Sequence, residues 1–170
     1  MDPNTRYTKS ADGTSIAYAM IGDGEPVVAA SMVWGDLHLY KNVFRLMRAM
    51  FDAWANEGMQ LAIHDARNMG ASDHGVERLD LDARVEDIEA VVDATGFETF
   101  SLTGVSSGVP SAIAYAVKHP DRVRRLVLVN GYARGEDWYR VVPAMRIVHG
   151  LKELADEDWD TYLMAMASAV

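Results

Sequence analysis

The residues of this chain that most clearly predict chemistry are 104–108, Gly-Val-Ser-Ser-Gly, which match the pattern Gly-x-Ser-x-Gly. An apolar run typical of a buried strand precedes the serine, and a stretch with helical spacing follows it. In that setting the serine occupies a tight turn that holds its hydroxyl clear of the sheet, and Gly104 and Gly108 leave room for the turn. We therefore predict that Ser106 is a nucleophile on a strand–turn–helix elbow.

A serine hydroxyl is a poor nucleophile at neutral pH unless a base lies beside it. Of the five histidines, His64 ends a predicted strand, at the carboxyl edge where parallel sheets place ligands, and it is the candidate base. His149, in the C-terminal helical stretch, is the alternative, and a structural role remains open for both. His38 and His74 are expected at the surface, and His119 is expected to end a helix. No histidine spacing typical of a metal site occurs, so we expect neither a metal nor another cofactor.

The elements that must position Ser106 alternate between strands and helices. The pattern begins with a hairpin around Asp12-Gly13 and ends with helices after Gly131. Between them, the predicted strands are 26–31, 61–63, 99–105 and 123–129, and the predicted helices are 37–57, 81–95 and 107–119. This order predicts an α/β fold, a mostly parallel sheet with helices on both faces and an antiparallel N-terminal hairpin. Residues 1–135 would form its core and residues 136–170 a helical, cap-like segment of the same domain.

Five segments together resemble the α/β-hydrolase fold family over roughly residues 6–135. They are the hairpin 12–18, the loop Asp-Ala-Arg-Asn-Met-Gly-Ala-Ser-Asp at 65–73, the helix 83–93, the turn His-Pro-Asp-Arg-Val at 119–123 and the segment 130–135. The combination is similar to hydrolase-like domains fused to bacterial transcription regulators and nucleotide cyclases. The resemblance therefore implies a partial α/β-hydrolase fold.

The resemblance also implies site residues beyond the serine. The backbone N–H groups of Val33 and Ser107 would form the oxyanion hole. Asn68 stands where the family's loop usually has glycine, and we expect Asp65 and Arg67 to form an ion pair that stabilises this loop. The family's catalytic acid and histidine follow later strands than those read in this sequence.

Two functions are compatible with these observations. The first is hydrolysis of carboxylic esters through a Ser106 acyl-enzyme, with a base from this chain or a partner subunit. The alternative is a non-catalytic binding module derived from a hydrolase, or a half-domain that requires a partner. If the first is correct, the partner is a small-molecule ester.

Composition restricts the other partners. The net charge of −9 disfavours nucleic acid, and no apolar stretch approaches the length that crosses a membrane. The absence of cysteine fits a cytoplasmic protein. Strand 123–129 would form an exposed apolar edge, so we expect a homo-oligomer, a dimer formed through this edge and the C-terminal helices.

Overall fold

The computed structural model describes residues 4–32, 37, 45–134, 157, 158 and 161. The chain divides into two compact units, residues 1–131 and 132–170, and every element named here belongs to the first. The elements are β1 (Arg6–Lys9), β2 (Ser15–Ile21), β3 (Glu25–Ala30), α1 (Arg45–Asn56), β4 (Met59–His64), α2 (Leu81–Thr95), β5 (Phe100–Val105), α3 (Val109–Lys118) and β6 (Val123–Val129).

The described strands form one sheet in the order β1-β2-β4-β3-β5-β6. The hairpin strands β1 and β2 are antiparallel, and β2 pairs antiparallel with β4. The pairs β4–β3, β3–β5 and β5–β6 are parallel. The predicted fold class is confirmed, and the hairpin lies at one end of the sheet. Because parallel strands need crossover connections, helices follow β3, β4 and β5 along the chain.

Helices cover both faces of the sheet with separate apolar clusters. On one face, α2 and α3 contribute side chains such as Val85, Ile88 and Tyr115, which pack against Val28 and Leu102 of the central strands. The other face packs against α1, whose Phe51 joins a cluster built on alternate residues of β2, β3 and β4. Successive strand residues point to opposite faces, so the continuous apolar runs of these strands fit a sheet buried on both sides.

Turn chemistry determines where several elements begin and end. Gly13 has a φ of +87°, which suits the hairpin turn, and the Thr14 N–H donates to Asp12 Oδ1. Asp80 caps α2 by accepting from the Ala83 N–H, and Gly96 ends that helix in a left-handed conformation.

Some predicted elements lie only partly within the described residues. Residues 45–56 of the predicted helix 37–57 are helical as described, whereas the predicted cap-like segment 136–170 falls almost wholly outside. The domain boundary at residue 135 therefore stays a prediction. Among the residues that were searched, no helix is both long and apolar enough to span a bilayer.

Candidate active site

Ser106 lies at the point where the central strand β5 gives way to helix α3. Strand β5 ends at Val105, residues Ser106–Gly108 form one 3₁₀ turn, and α3 begins at Val109. The φ of Ser106 is +52°, in the left-handed region that residues other than glycine rarely adopt. This sharp reversal places a half-buried serine beside the N-terminus of α3, where N–H groups favour negative charge.

The two glycines of the motif allow close contacts that a side chain would prevent. A Cβ at Gly104 would lie 2.9 Å from Ala112 Cβ and 3.0 Å from the Gly108 carbonyl oxygen. A Cβ at Gly108 would lie 2.6 Å from the Ala30 carbonyl oxygen. Gly104 thus lets α3 pack directly on β5, and Gly108 lets the turn approach the end of β3.

A third glycine supports the elbow from the neighbouring strand. Asn130, just after β6, has a φ of +49°, and a Cβ at Gly131 would overlap the Val109 side chain. Since Val109 is the first residue of α3, this contact holds the start of the helix against the chain leaving β6. The sequence motif alone did not show this contact, although Asn-Gly is a recognised turn signal.

The structure describes one of the two predicted oxyanion-hole donors, Ser107. Ser107 is half-buried within the 3₁₀ turn, so its backbone N–H belongs to the first turn of the helical segment. Val33 lies outside the described residues. The chain just after it is nevertheless anchored, since the Leu37 N–H donates to Asp65 Oδ1 at 2.5 Å.

His64 ends β4 and is buried, with its Nδ1 atom unpartnered among the described residues. Burial lowers its pKa to about 4, against the opposing attraction of Asp87, so the ring is neutral at pH 7. The register of β3 places Ala30 beside Gly104. His64, two residues beyond the Ala62–Val28 pair, is level with Ala30 on the other side. Strand β3 therefore separates the His64 backbone from that of Gly104 by two strand spacings, about 10 Å, and Ser106 lies two residues further along the chain.

The other described histidines have structural partners. His74 Nε2 bonds with the Gly70 carbonyl oxygen at 3.0 Å, within its own loop. His119 ends α3, and its Nε2 lies 2.6 Å from Glu89 Oε1. Since α3 begins at Val109 and runs for ten residues, His119 is about 15 Å along the helix from Val109, and Ser106 lies a further 3₁₀ turn away. His38 and His149 lie outside the described residues. No group of metal-binding side chains occurs among the residues that were searched.

The loop 65–73 is fastened by hydrogen bonds from nearly every polar side chain in it. Asp65 is fully buried, and its Oδ2 accepts from the Ala71 N–H at 2.8 Å. Ser72 Oγ donates to the Asp65 carbonyl oxygen and accepts from the Ala17 N–H. Asp73 Oδ2 accepts from the Ser15 N–H at 2.7 Å. The loop therefore joins the end of β4 to the hairpin.

The predicted stabilising role of Arg67 is correct, but its partners differ from the Asp65 that we predicted. Arg67 is buried and bonds bidentately to Asp87 of α2, with Nε 2.9 Å from Oδ2 and Nη2 2.7 Å from Oδ1. Its Nη1 donates to Asp12 Oδ2 and to the Arg78 carbonyl oxygen, both at 2.8 Å. The hydrogen bond with Asp87 raises the pKa of Arg67. Hydrogen bonds from Thr14 and Arg67 hold the pKa of Asp12 well below its usual value. One side chain thus ties the hairpin turn, the loop and α2 together.

Asn68 adopts the conformation that a glycine would adopt at its position. Its φ is +62°, and asparagine tolerates this region better than most residues. Its side chain then bonds twice to Val76, donating to the carbonyl oxygen at 2.7 Å and accepting from the N–H at 2.8 Å. The replacement of glycine by asparagine therefore preserves the loop and adds two hydrogen bonds.

Comparison with known families identifies the fold family of the chain. Residues 37–157 match the family model described as alpha/beta hydrolase fold, which is more than half of the chain. The chain belongs to the α/β-hydrolase fold family. The matched range includes the elbow, His64 and the loop 65–73 of this α/β-hydrolase, whereas Val33 precedes it.

The relatives with similar sequences are named as several kinds of enzyme. A 2-hydroxy-6-oxononadienedioate/2-hydroxy-6-oxononatrienedioate hydrolase of Paraburkholderia phymatum is 35% identical over 122 residues, 69% of this chain and 39% of the relative. A cis-3-alkyl-4-alkyloxetan-2-one decarboxylase of Shewanella oneidensis is 26% identical over 132 residues, 75% of this chain and 39% of the relative. This α/β-hydrolase chain thus spans about two fifths of the length of these curated relatives.

Solved structures show the same fold at lower sequence identity. An esterase from Exiguobacterium antarcticum has a TM-score of 0.72 and 22% identity, over 95% of this chain and 59% of the esterase. An epoxide hydrolase from Vigna radiata has a TM-score of 0.64 and 18% identity, over 75% of this chain and 39% of that chain. These likenesses establish the α/β-hydrolase architecture, and they include enzymes with different substrates.

Proposed function

We propose that this α/β-hydrolase acts on carboxylic esters through a Ser106 acyl-enzyme. The observation that carries the proposal is the φ of +52° at Ser106, in a turn between β5 and α3 that close contacts at Gly104 and Gly108 allow. A serine held in this way presents its hydroxyl beside a helix N-terminus, as an attacking nucleophile requires. The sequence relatives named as hydrolases and the esterase with the same fold support this chemistry.

In the proposed reaction, Ser106 Oγ loses its proton to a base and attacks the carbonyl carbon of the ester. The negative charge that forms on the carbonyl oxygen is stabilised by the backbone N–H groups of Ser107 and Val33. The alcohol leaves with the proton held by the base, and the acyl group stays on Ser106. Water, activated by the same base, then releases the carboxylic acid.

The base in this scheme must accept a proton at neutral pH and reach Ser106. His64 meets the first condition only in part: its ring is neutral at pH 7 and its Nδ1 is unpartnered among the described residues, but a pKa lowered to about 4 by burial makes it a weak base. To act on Ser106, a ring nitrogen of His64 must come within about 3 Å of Ser106 Oγ, and β3 lies between the two residues. We therefore propose His64 as the base to test first, with His149 as the alternative and a histidine of a partner subunit as the third source.

The proposal can be tested by labelling with a fluorophosphonate, which reacts with activated serines, followed by intact-mass measurement. The wild type should gain one label, and Ser106→Ala should gain none. Ser107→Ala is the matched control, because it removes the adjacent hydroxyl and keeps the backbone N–H; it should label like the wild type. A label that persists in Ser106→Ala would refute the proposal.

The base is identified in the same assay. His64→Ala and His149→Ala are compared for labelling rate, after circular dichroism has shown that each is folded. A loss of labelling in one folded variant identifies the base within the chain. Wild-type labelling in both variants would contradict both assignments and leave a partner subunit as the source.

A non-catalytic function is the second candidate, and one observation favours it. Ser106 makes no side-chain hydrogen bond with a described histidine: His74 and His119 bond elsewhere, and β3 lies between His64 and the elbow. Under this alternative the elbow is inherited scaffold, and the chain binds a partner or acts as a half-domain. A folded wild-type protein that takes no fluorophosphonate label would favour this function over ester hydrolysis.

A further inference from the structure

The side chain of Asp65 joins two stretches of the chain at the carboxyl edge of the sheet. Asp65 directly follows β4 and is fully buried. Its Oδ1 accepts from the Leu37 N–H at 2.5 Å, and its Oδ2 accepts from the Ala71 N–H at 2.8 Å. Leu37 is also buried and belongs to the stretch that follows β3, 28 residues before Asp65. Asp65 therefore fastens the chain after β3 to the loop after β4.

Asp65 is itself fixed by bonds of its backbone. Its N–H donates to the Ala17 carbonyl oxygen of β2 at 2.9 Å, and its carbonyl oxygen accepts from Ser72 Oγ at 2.8 Å. The bond from Ala71 then orients the carboxyl group towards Leu37. Side chains whose rotamers are locked by packing and hydrogen bonds hold the groups they bind within about 0.5 Å of a fixed geometry. Asp65 has the surroundings of such an anchor.

The elbow fixes the same stretch of chain at its other end. A Cβ at Gly108 would lie 2.6 Å from the Ala30 carbonyl oxygen and 3.1 Å from the Ser31 carbonyl oxygen, so the elbow turn packs directly on the end of β3. Val33 comes between Ser31 and Leu37 in the sequence. The second donor that we propose for the oxyanion hole thus belongs to a short span of chain that is held at both ends.

We propose that Asp65 is a positioning residue for the oxyanion hole and acts through its bond to the Leu37 N–H. This inference rests on the proposed ester hydrolysis at Ser106. The N–H of Ser107 belongs to the elbow, whereas the N–H of Val33 depends on the path of the chain after β3. Asp65 fixes the far end of that path, which keeps the two N–H groups directed at one oxygen. A misplacement of about 1 Å can cost about 100-fold in rate, even when the altered residue is far from the chemistry.

The residue type suits this role. Both partners of the Asp65 side chain are backbone N–H groups, and a carboxylate offers acceptors on both of its oxygens. An asparagine offers one acceptor oxygen, so its NH₂ group would face the second N–H. An alanine would leave both N–H groups without this acceptor. Variants of Asp65 therefore remove the anchor in two steps.

The test compares the hydrolysis of a 4-nitrophenyl ester with that of the matching thionoester, in which sulfur replaces the carbonyl oxygen. Sulfur accepts hydrogen bonds more weakly than oxygen, so the oxyanion hole accelerates the ester more than the thionoester. The ratio of the two kcat/KM values therefore depends on the placement of the donors. Because both values scale with the amount of folded enzyme, the ratio can be measured on the full-length protein even where a variant is destabilised.

In Asp65→Ala, kcat for the ester should fall about 100-fold with KM nearly unchanged, and the ester-to-thionoester ratio should fall about tenfold. Asp65→Asn has nearly the same volume as the wild type and keeps one acceptor, so its ratio should lie between the other two. Asn68→Ala is the matched control. It also loses two side-chain bonds to the backbone near this loop, but both are to Val76, so it should keep the wild-type ratio.

The possible results separate this inference from the function on which it rests. An active wild type whose ratio is unchanged in both Asp65 variants would overturn the positioning role alone. A ratio that falls equally in Asn68→Ala would also overturn it, because general loosening of the loop would then explain the effect. A wild type that hydrolyses neither substrate would refute the proposed ester hydrolysis, and the role of Asp65 with it.

Discussion

Two arginines of this protein make nearly the same bond in different environments. Arg67 is bidentate to Asp87, with both side chains buried, and Arg78 is bidentate to Glu86, with the arginine 40% exposed. The two carboxylates are neighbours on α2. Replacing each arginine by methionine keeps most of the apolar stem and removes the guanidinium, so the pair of variants compares the loss of a buried arginine network with the loss of an exposed ion pair.

The expected loss of stability in each variant depends on whether the carboxylate that has lost its arginine is buried or exposed to water. In Arg67→Met, Asp87 stays buried without its partner, and breaking a buried pair in this way costs about 3–5 kcal/mol. The loss is about a third to a half of the stability of a domain with about 10 kcal/mol. In Arg78→Met, Glu86 is rehydrated and the lost bond was already screened by water, so the free energy of unfolding should barely change.

Urea unfolding at pH 7 measures both losses, with the m-value as the check that the denatured state is unchanged. The double variant Arg67→Met/Asp87→Leu removes both partners and should recover part of the stability, because no buried charge is then left unpaired. The reasoning is refuted if Arg67→Met loses no more stability than Arg78→Met. It is also refuted if the double variant is less stable than Arg67→Met alone.

Three further outcomes are expected. Gly108→Ala should lower Tm and abolish fluorophosphonate labelling, because its Cβ would lie 2.6 Å from the Ala30 carbonyl oxygen. In the control variant Gly75→Ala the Cβ meets nothing within 4 Å, so the protein should lose only about 1 kcal/mol of stability from the left-handed backbone and should still be labelled. The pKa of His64 is about 4 in the folded protein, against 6.5 for an unperturbed histidine. The contribution of His64 to stability is therefore fully present above pH 6.5, and the free energy of unfolding falls by about 1.4 kcal/mol per pH unit from there towards pH 4. Urea unfolding of His64→Gln should lack this slope, and an unchanged slope would contradict its assignment to His64. Asn68→Ala should lower Tm more than Asn68→Gly. Both variants lose the two bonds to Val76, but only alanine is strained by the φ of +62°. Equal effects of the two variants on Tm would show that backbone conformation is unimportant at this position.

Local sequence signals predicted the features that depend on neighbouring residues. The Asp12-Gly13 turn and the helix 81–95 lie where their residue types indicate. The elbow was likewise readable, because strand, turn and helix are consecutive in the chain. Among the described strands, β6 is the last in the sheet order, and its apolar run 126–129 is exposed.

Features that depend on distant residues were not predictable in the same way. Arg67 binds Asp12 and Asp87, which are 55 and 20 residues away, and no periodicity links such positions. Strand β4 lies between β2 and β3 in the sheet. This position depends on crossover geometry, and the order of the elements along the chain does not determine it. The identity of the general base was not predictable for the same reason. It depends on which side chain lies close to Ser106 in space, and no local sequence pattern reports that distance.

The left-handed backbone of Ser106 also has an evolutionary meaning. A serine with a φ of +52° costs about 1–3 kcal/mol relative to a relaxed residue, and glycine would adopt the same turn at lower cost. If mutation and selection for stability alone had acted at this position, glycine would have an advantage. Under the function we propose, catalysis and not folding accounts for a serine at this strained position.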